Sequence, residues 1–162
     1  MATDPLNAHR IFEVLAAHDV DYVVIGGVAV QTHGRTRMTS DVDLIPAPTP
    51  VNLERLAKAL RELDARVLNE GHEGSAISAQ MLPRATIWQF ETRSGGIDVL
   101  HEVPGGRGFD RLREDALTIR LGDTTVAIAS LDDLIQMKLA RGRPIDLEDV
   151  AALTDPPPPP EA

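Results

Sequence analysis

The sequence predicts an α+β domain, a mixed β-sheet flanked by helices, and three observations point there. Two stretches, about 6–18 and 51–63, carry apolar residues at helical spacing. Two short runs, Tyr22–Ile25 and Asp41–Ile45, have strand length and are bounded by turn residues. Later the chain alternates over 84–92 and returns over 97–101 across Ser94-Gly95-Gly96, a hairpin signature.

In the first helix Ile11 and Leu15, and Phe12 and Ala16, stand four apart and form one apolar stripe. Tyr22-Val23-Val24-Ile25 reads as a buried strand stopped by Gly26-Gly27. Val28–His33 then makes a short helix ending at Gly34. A polar stretch, Arg35–Ser40, leads into the second strand. Prolines 46, 48 and 50 end it, and Pro50 suits the start of the next helix. That helix stacks Leu53, Leu56, Ala57, Leu60 and Leu63 on one side. Residues 65–82 show no clear period. After the hairpin come a loop at 104–108, a helix over 109–116, and strands over 117–121 and 124–128 turning at Gly122-Asp123. Ser130 with Asp133 is a capping-box signature for a helix through Arg141, Gly142 closes it, and 145–153 forms the last helix. A five-proline run at 156–160 cannot enter a helix or a sheet interior. The expected domain therefore spans 1–154, with a proline-rich disordered tail over 155–162.

Composition narrows the function classes. The 162 residues are 43% apolar and 25% charged, enough for one buried core. The net charge of −9 argues against a protein that coats nucleic acid, so any such contact needs a local basic patch. Aromatics are 3% of the chain, which leaves few stacking platforms for single strands. Cysteine is absent, which removes disulfides, thiolate metal sites and a cysteine nucleophile together. The opening MATDPLNAHR has no apolar core of a secretory leader, and the longest apolar run is about half a membrane span. The expectation is a cytoplasmic protein without membrane contact.

Chemistry centres on Asp41 and Asp43. Residues two apart on a strand share a face, so both carboxylates converge. Strand interiors disfavour Asp, and paired like charges raise each other's pKa unless a cation is present. A divalent ion bound by oxygen, most simply Mg²⁺, resolves that conflict; a solvated sheet edge is the alternative. Spacing alone decides little, because fifteen Asp give about one such pair by chance and Asp19/Asp21 is a second, at a turn. Gly26-Gly27 adds weight. A strand running through a glycine pair into a helix can bring backbone close to phosphate, although it can also be a plain tight turn. It precedes the acidic strand by fourteen residues. Asp98, embedded in the apolar Gly96–Leu100, offers a third ligand or an edge-strand gatekeeper, and two metal ions need more than two carboxylates.

Ile25-Gly26-Gly27-Val28-Ala29 followed by Arg37-Met38-Thr39-Ser40-Asp41-Val42-Asp43-Leu44 resembles the signature of the DNA polymerase β-type nucleotidyltransferase superfamily. The likeness is to its small bacterial and archaeal members, among them minimal nucleotidyltransferases and abortive-infection toxins. Asp98 matches the third acid of that pattern. Ser130–Lys138 with Arg141, Arg143, Asp146 and Asp149 is similar to the closing helices of the toxin-like members. The resemblance implies Asp41, Asp43 and Asp98 as catalytic metal ligands for two Mg²⁺ ions. It also implies nucleotide contacts at Gly26, Gly27, Arg37, Thr39, Ser40 and Lys138. Where many members carry Ser, Gly27 stands, so phosphate grip falls to Arg35, Arg37 or Lys138. For Lys138 a solvated surface position is the alternative, and for Asp146 an ion pair with Arg143. Arg107, Arg111 and Arg113 read as a solvated helix face or an acceptor contact, and His33 and His101 lack metal-ligand spacing.

The expected activity is transfer of a nucleoside monophosphate from a nucleoside triphosphate to an acceptor hydroxyl, releasing pyrophosphate. A tRNA end, a protein side chain and a small molecule are all open as acceptors, and the toxin-like version brings an antitoxin partner. The alternative from another class is a nucleotide- or partner-binding module that keeps the fold without transfer.

Overall fold

The computed structural model describes residues 5–155; the proline run assigned to a tail lies outside them. Among the described residues there are six α-helices and seven strands, alternating as far as the third helix and mostly grouped by kind after it. Helix α1 (Ala8–Ala17) is capped by Asn7, whose side chain accepts from Arg10 N at 3.1 Å. Strand β1 (Tyr22–Ile25) runs without a loop into α2 (Gly26–Thr32), and β2 (Asp41–Pro46) follows the polar stretch. Helix α3 (Pro50–Glu62) has Pro50 in its first turn, as the sequence anticipates, and Thr49 as its cap.

The stretch without a period contains only the two-residue strand β3 (Arg66–Val67) and, at its end, a 3-10 turn, Leu82–Arg84. Strands β4 (Ile87–Thr92) and β5 (Gly95–Leu100) form the hairpin. Its turn is Arg93-Ser94, one step earlier than the glycine pair suggests, because Thr92 pairs with Gly95 and Glu91 with Gly96. Thr92 Oγ1 closes it by donating to Gly95 O at 2.8 Å and accepting from Ser94 N at 2.9 Å. After α4 (Phe109–Asp115) come β6 (Leu117–Leu121), β7 (Thr124–Ile128), α5 (Leu131–Arg141) and α6 (Pro144–Thr154).

All seven strands make one sheet in the order β3-β4-β5-β2-β1-β7-β6. Strand β2 is central, parallel to β5 on one side and antiparallel to β1 on the other, so the sheet is mixed as expected. On one face of β2, Val42 and Leu44 are wholly buried; Asp41 and Asp43 alternate with them and take the other face. Phe12, Leu15, Leu56, Leu60, Ile97, Val99 and Ile128 join Val42 and Leu44 in one core. Buried Asn52 ties the start of β1 to the end of β2, accepting from Asp21 N and donating to Asp21 O and Ala47 O at 2.7–2.9 Å. No helix among the described residues is long and apolar enough to cross a membrane.

Candidate active site

The acids gather because of register. Asp43 is the direct neighbour of Asp98 across the β2–β5 pair, and of Ile25 across β1; Asp41 faces Gly96. Directly paired residues point to the same side, so the three carboxylates share one face at the middle of the sheet. They line one cavity of about 760 Å³ together with Gly26, Gly27, Arg37, Thr39, Ser40 and Lys138, which are all of the sequence-derived site residues.

Within that cavity the carboxylates are not equivalent. Asp43 and Asp98 lie side by side, close enough that a proton held by one could be shared with the other. Burial raises both above the ordinary carboxylate range, and the neighbouring Asp43 and Asp41 charges help push Asp98 up to about 7. Asp41 lies alongside with its carboxylate turned over Gly96. Among the described residues no three acidic or imidazole groups form a metal cluster as they stand. The donor set itself suits a hard divalent cation: three carboxylates, no sulfur, and two raised carboxyl pKa values where a positive charge is called for.

Glycines make room for these side chains. A Cβ on Gly26 would lie 1.9 Å from Asp43 Oδ2, and one on Gly96 would lie 1.8 Å from Asp41 Oδ1. Gly26 also sits at φ +69°, which side chains rarely adopt. A Cβ on Gly27 would meet Thr39 Oγ1 at 2.8 Å. The threonine hydroxyl thus stands over position 27, where many members of the resembled superfamily place a serine, and donates to Asp41 O at 3.1 Å.

The cations divide into neutralised and free. Lys138, expected either to reach phosphate or to lie in solvent, is buried, with Nζ 3.0 Å from Asp149 and 3.4 Å from Asp146. Arg37 pairs with Asp149, and Arg143 forks onto Asp146 at 2.7 and 3.1 Å. Both acids are wholly buried. The Arg143 pair, with Lys138 adding to it, lowers the Asp146 pKa to about 2. Arg141, at the end of α5, lines the same cavity and has no carboxylate partner among the described residues. Its charge acts to lower the pKa of both Asp43 and Asp98. Sequence reading placed Arg141 in a motif without giving it a role; its position at the last turn of a helix whose Lys138 faces the site was the available signal.

Two arginines of the other cluster are held in ion pairs. Arg107 forks onto Asp133 at 2.8 and 2.9 Å and also pairs with Asp115, while Arg113 pairs with Asp21 at 3.1 Å. His33 lies outside the cavity lining with a ring nitrogen 2.9 Å from Ala129 O, and His101 is also outside it.

No family model and no curated protein matches this sequence. Solved structures do match. The lincosamide antibiotic adenylyltransferase LnuA, lincomycin-bound, superposes with a TM-score of 0.65 at 12% identity, over 94% of this chain and 99% of that one. ANT(2")-Ia, in complex with adenylyl-2"-tobramycin, gives 0.57 at 16% identity, over 90% and 84%. An antigenic nucleotidyltransferase-like protein from Paracoccidioides brasiliensis gives 0.57 at 16%, over 92% and 77%. The chain has the nucleotidyltransferase fold.

Proposed function

We propose that this protein is a nucleotidyltransferase that moves a nucleoside monophosphate from a nucleoside triphosphate to an acceptor hydroxyl. The observation that carries this reading is the β2–β5 register, which sets Asp43 beside Asp98 and both beside Asp41 in a glycine-edged cavity. In the reaction the acceptor oxygen bonds to the α-phosphorus, the bond to the bridging oxygen breaks, and pyrophosphate leaves. Asp98 in its ionised form is the residue suited to take the acceptor proton, because a pKa raised to about 7 makes its carboxylate a stronger base than an ordinary one. Asp41, Asp43 and Asp98 would hold Mg²⁺, which when bound supplies charge neutralisation of the phosphates. Gly26, Gly27, Thr39 and Ser40 border the phosphates, and Arg141, without a carboxylate partner among the described residues, grips them alongside Arg37 and Lys138.

The antibiotic-modifying neighbours make a hydroxyl-bearing small molecule the first acceptor to try. The net charge of −9 weighs against a broad RNA footprint, and a protein acceptor comes after that. The toxin version of the reading adds an antitoxin partner, which co-purification tests.

The decisive experiment incubates the protein, Mg²⁺ and each α-labelled nucleoside triphosphate with lysate separated into small-molecule, RNA and protein fractions. One fraction becomes labelled with wild type and not with Asp43→Ala. Equal labelling by the variant refutes the assignment. Nucleotide binding without label in any fraction supports the non-catalytic binding module instead.

A further inference from the structure

Behind the cavity wall that carries Arg37 and Lys138 lies a carboxylate that reaches neither solvent nor the cavity. Asp149 is wholly buried and absent from the lining, yet three cations converge on it. Arg35 Nε is 2.8 Å from one of its oxygens, Lys138 Nζ is 3.0 Å from the other, and Arg37 pairs with that second oxygen too. These groups come from three separate places: the 33–40 loop, α5 and α6. Arg37 and Lys138 both line the cavity, and the Arg37 guanidinium carbon lies 3.8 Å from where a Cβ on Gly27 would be. Without an anchor, long cationic side chains at a cavity edge keep their rotamer freedom and favour water.

We infer that Asp149 is a positioning residue: it holds Arg37 and Lys138 against the phosphate end of the cavity without touching the nucleotide. The inference rests on the nucleotide-transfer reading for its physiological ligand. It makes a claim of sign that a simple charge argument reverses. Asp149 is negative, so removing its charge raises the positive potential and should tighten anion binding. If its work is positioning, removing it weakens binding instead.

The test is equilibrium binding of magnesium tripolyphosphate to the full chain by calorimetry, comparing wild type, Asp149→Asn, Arg37→Gln and the double variant. The expected result is weakening by about tenfold in Asp149→Asn, with the double variant losing less than the product of the two single losses. Binding that is unchanged or tighter in Asp149→Asn overturns the inference, as do losses that simply multiply. A lower melting temperature with unaltered binding by the folded protein also overturns it, since that marks a purely structural acid. Should Asp149→Asn fail to fold, Arg35→Gln removes one anchor from outside the cavity; it is expected to weaken binding about threefold, and no change overturns the inference. Wild type that binds tripolyphosphate but labels no acceptor sinks the transfer reading and leaves this inference standing. Wild type that does not bind it at all sinks the inference.

Discussion

At the scale of single residues, the site is set by atoms that are missing. Asp43 needs the space left by Gly26, and Asp41 needs the space left by Gly96. Gly26→Ala puts a Cβ 1.9 Å from the Asp43 oxygen, so the carboxylate must swing away from Asp98. A displacement of about 1 Å at a reacting centre costs roughly 10²-fold in rate. Nucleotide transfer by Gly26→Ala should therefore fall by about that factor. Gly34→Ala is the control: Gly34 has φ +105° but nothing within 4 Å, so it tests backbone strain without displacing a carboxylate. Equal losses in the two variants would mean strain, not steric displacement, explains the effect. Gly27 makes a second case. Gly27→Ser forces its Cβ to 2.8 Å from Thr39 Oγ1 and should cost about 1–3 kcal/mol in denaturant unfolding. Adding Thr39→Ala should recover most of that loss. No recovery would show that position 27 rejects a side chain for another reason.

At the scale of elements, α5 and α6 are fastened by charge, with three acids buried along them. Asp146 sits in the first turn of α6, takes the Arg143 backbone N–H at 3.1 Å, and binds Arg143 and Lys138 with the rest of its carboxylate. Its folded-state pKa of about 2 lies below the ordinary Asp value near 3.9. The stability it contributes is therefore complete above about pH 4 and lost as the pH falls toward 2. Asp146→Asn should cost about 3 kcal/mol at pH 7, because it breaks a buried pair and keeps its volume. It should also flatten the acid limb of the stability curve below pH 4. An equally steep limb in the variant would place the acid sensitivity elsewhere. This region also shows where sequence reading stops. Apolar runs flanked by glycine and proline were enough for β1, β2 and α3, and an acid inside an apolar strand was enough to single out Asp98, which the register sets beside Asp43. Burial of Lys138, Asp146 and Asp149 was not legible, since local pattern treats charges as surface and their partners lie up to 114 residues away in the Arg35–Asp149 pair. The Gly95-Gly96 turn was misplaced for a related reason: Gly96 serves the Asp41 carboxylate across the sheet, a contact that hairpin chemistry does not reveal.

At the scale of the whole molecule, the chemistry rests on the best-supported strands. Strand β2 is paired over four registers with β5 and four with β1. The β6–β7 hairpin joins the sheet through one paired position, Val24 with Ile128, and the Ala129 N–H to Val24 O bond at 2.9 Å. Strand β6 is an edge, and its Leu117 is 48% exposed. Local opening follows such differences in pairing and burial. Native-state hydrogen exchange should accordingly find β2 and β5 opening only with global unfolding, and β6 well before them. Exchange in β2 as fast as in β6 would contradict a rigid platform under Asp41 and Asp43. Ligand makes the prediction sharper. If nucleotide and magnesium occupy the cavity, added protection should appear in the 35–41 segment and at the end of α5, where Arg37, Ser40, Lys138 and Arg141 line it. The β6 amides, remote from that lining, should gain only the general stabilisation that binding gives the native state. Protection centred on β6 and β7, with none over 35–41, would move the nucleotide away from the three acids and remove the basis for transfer there.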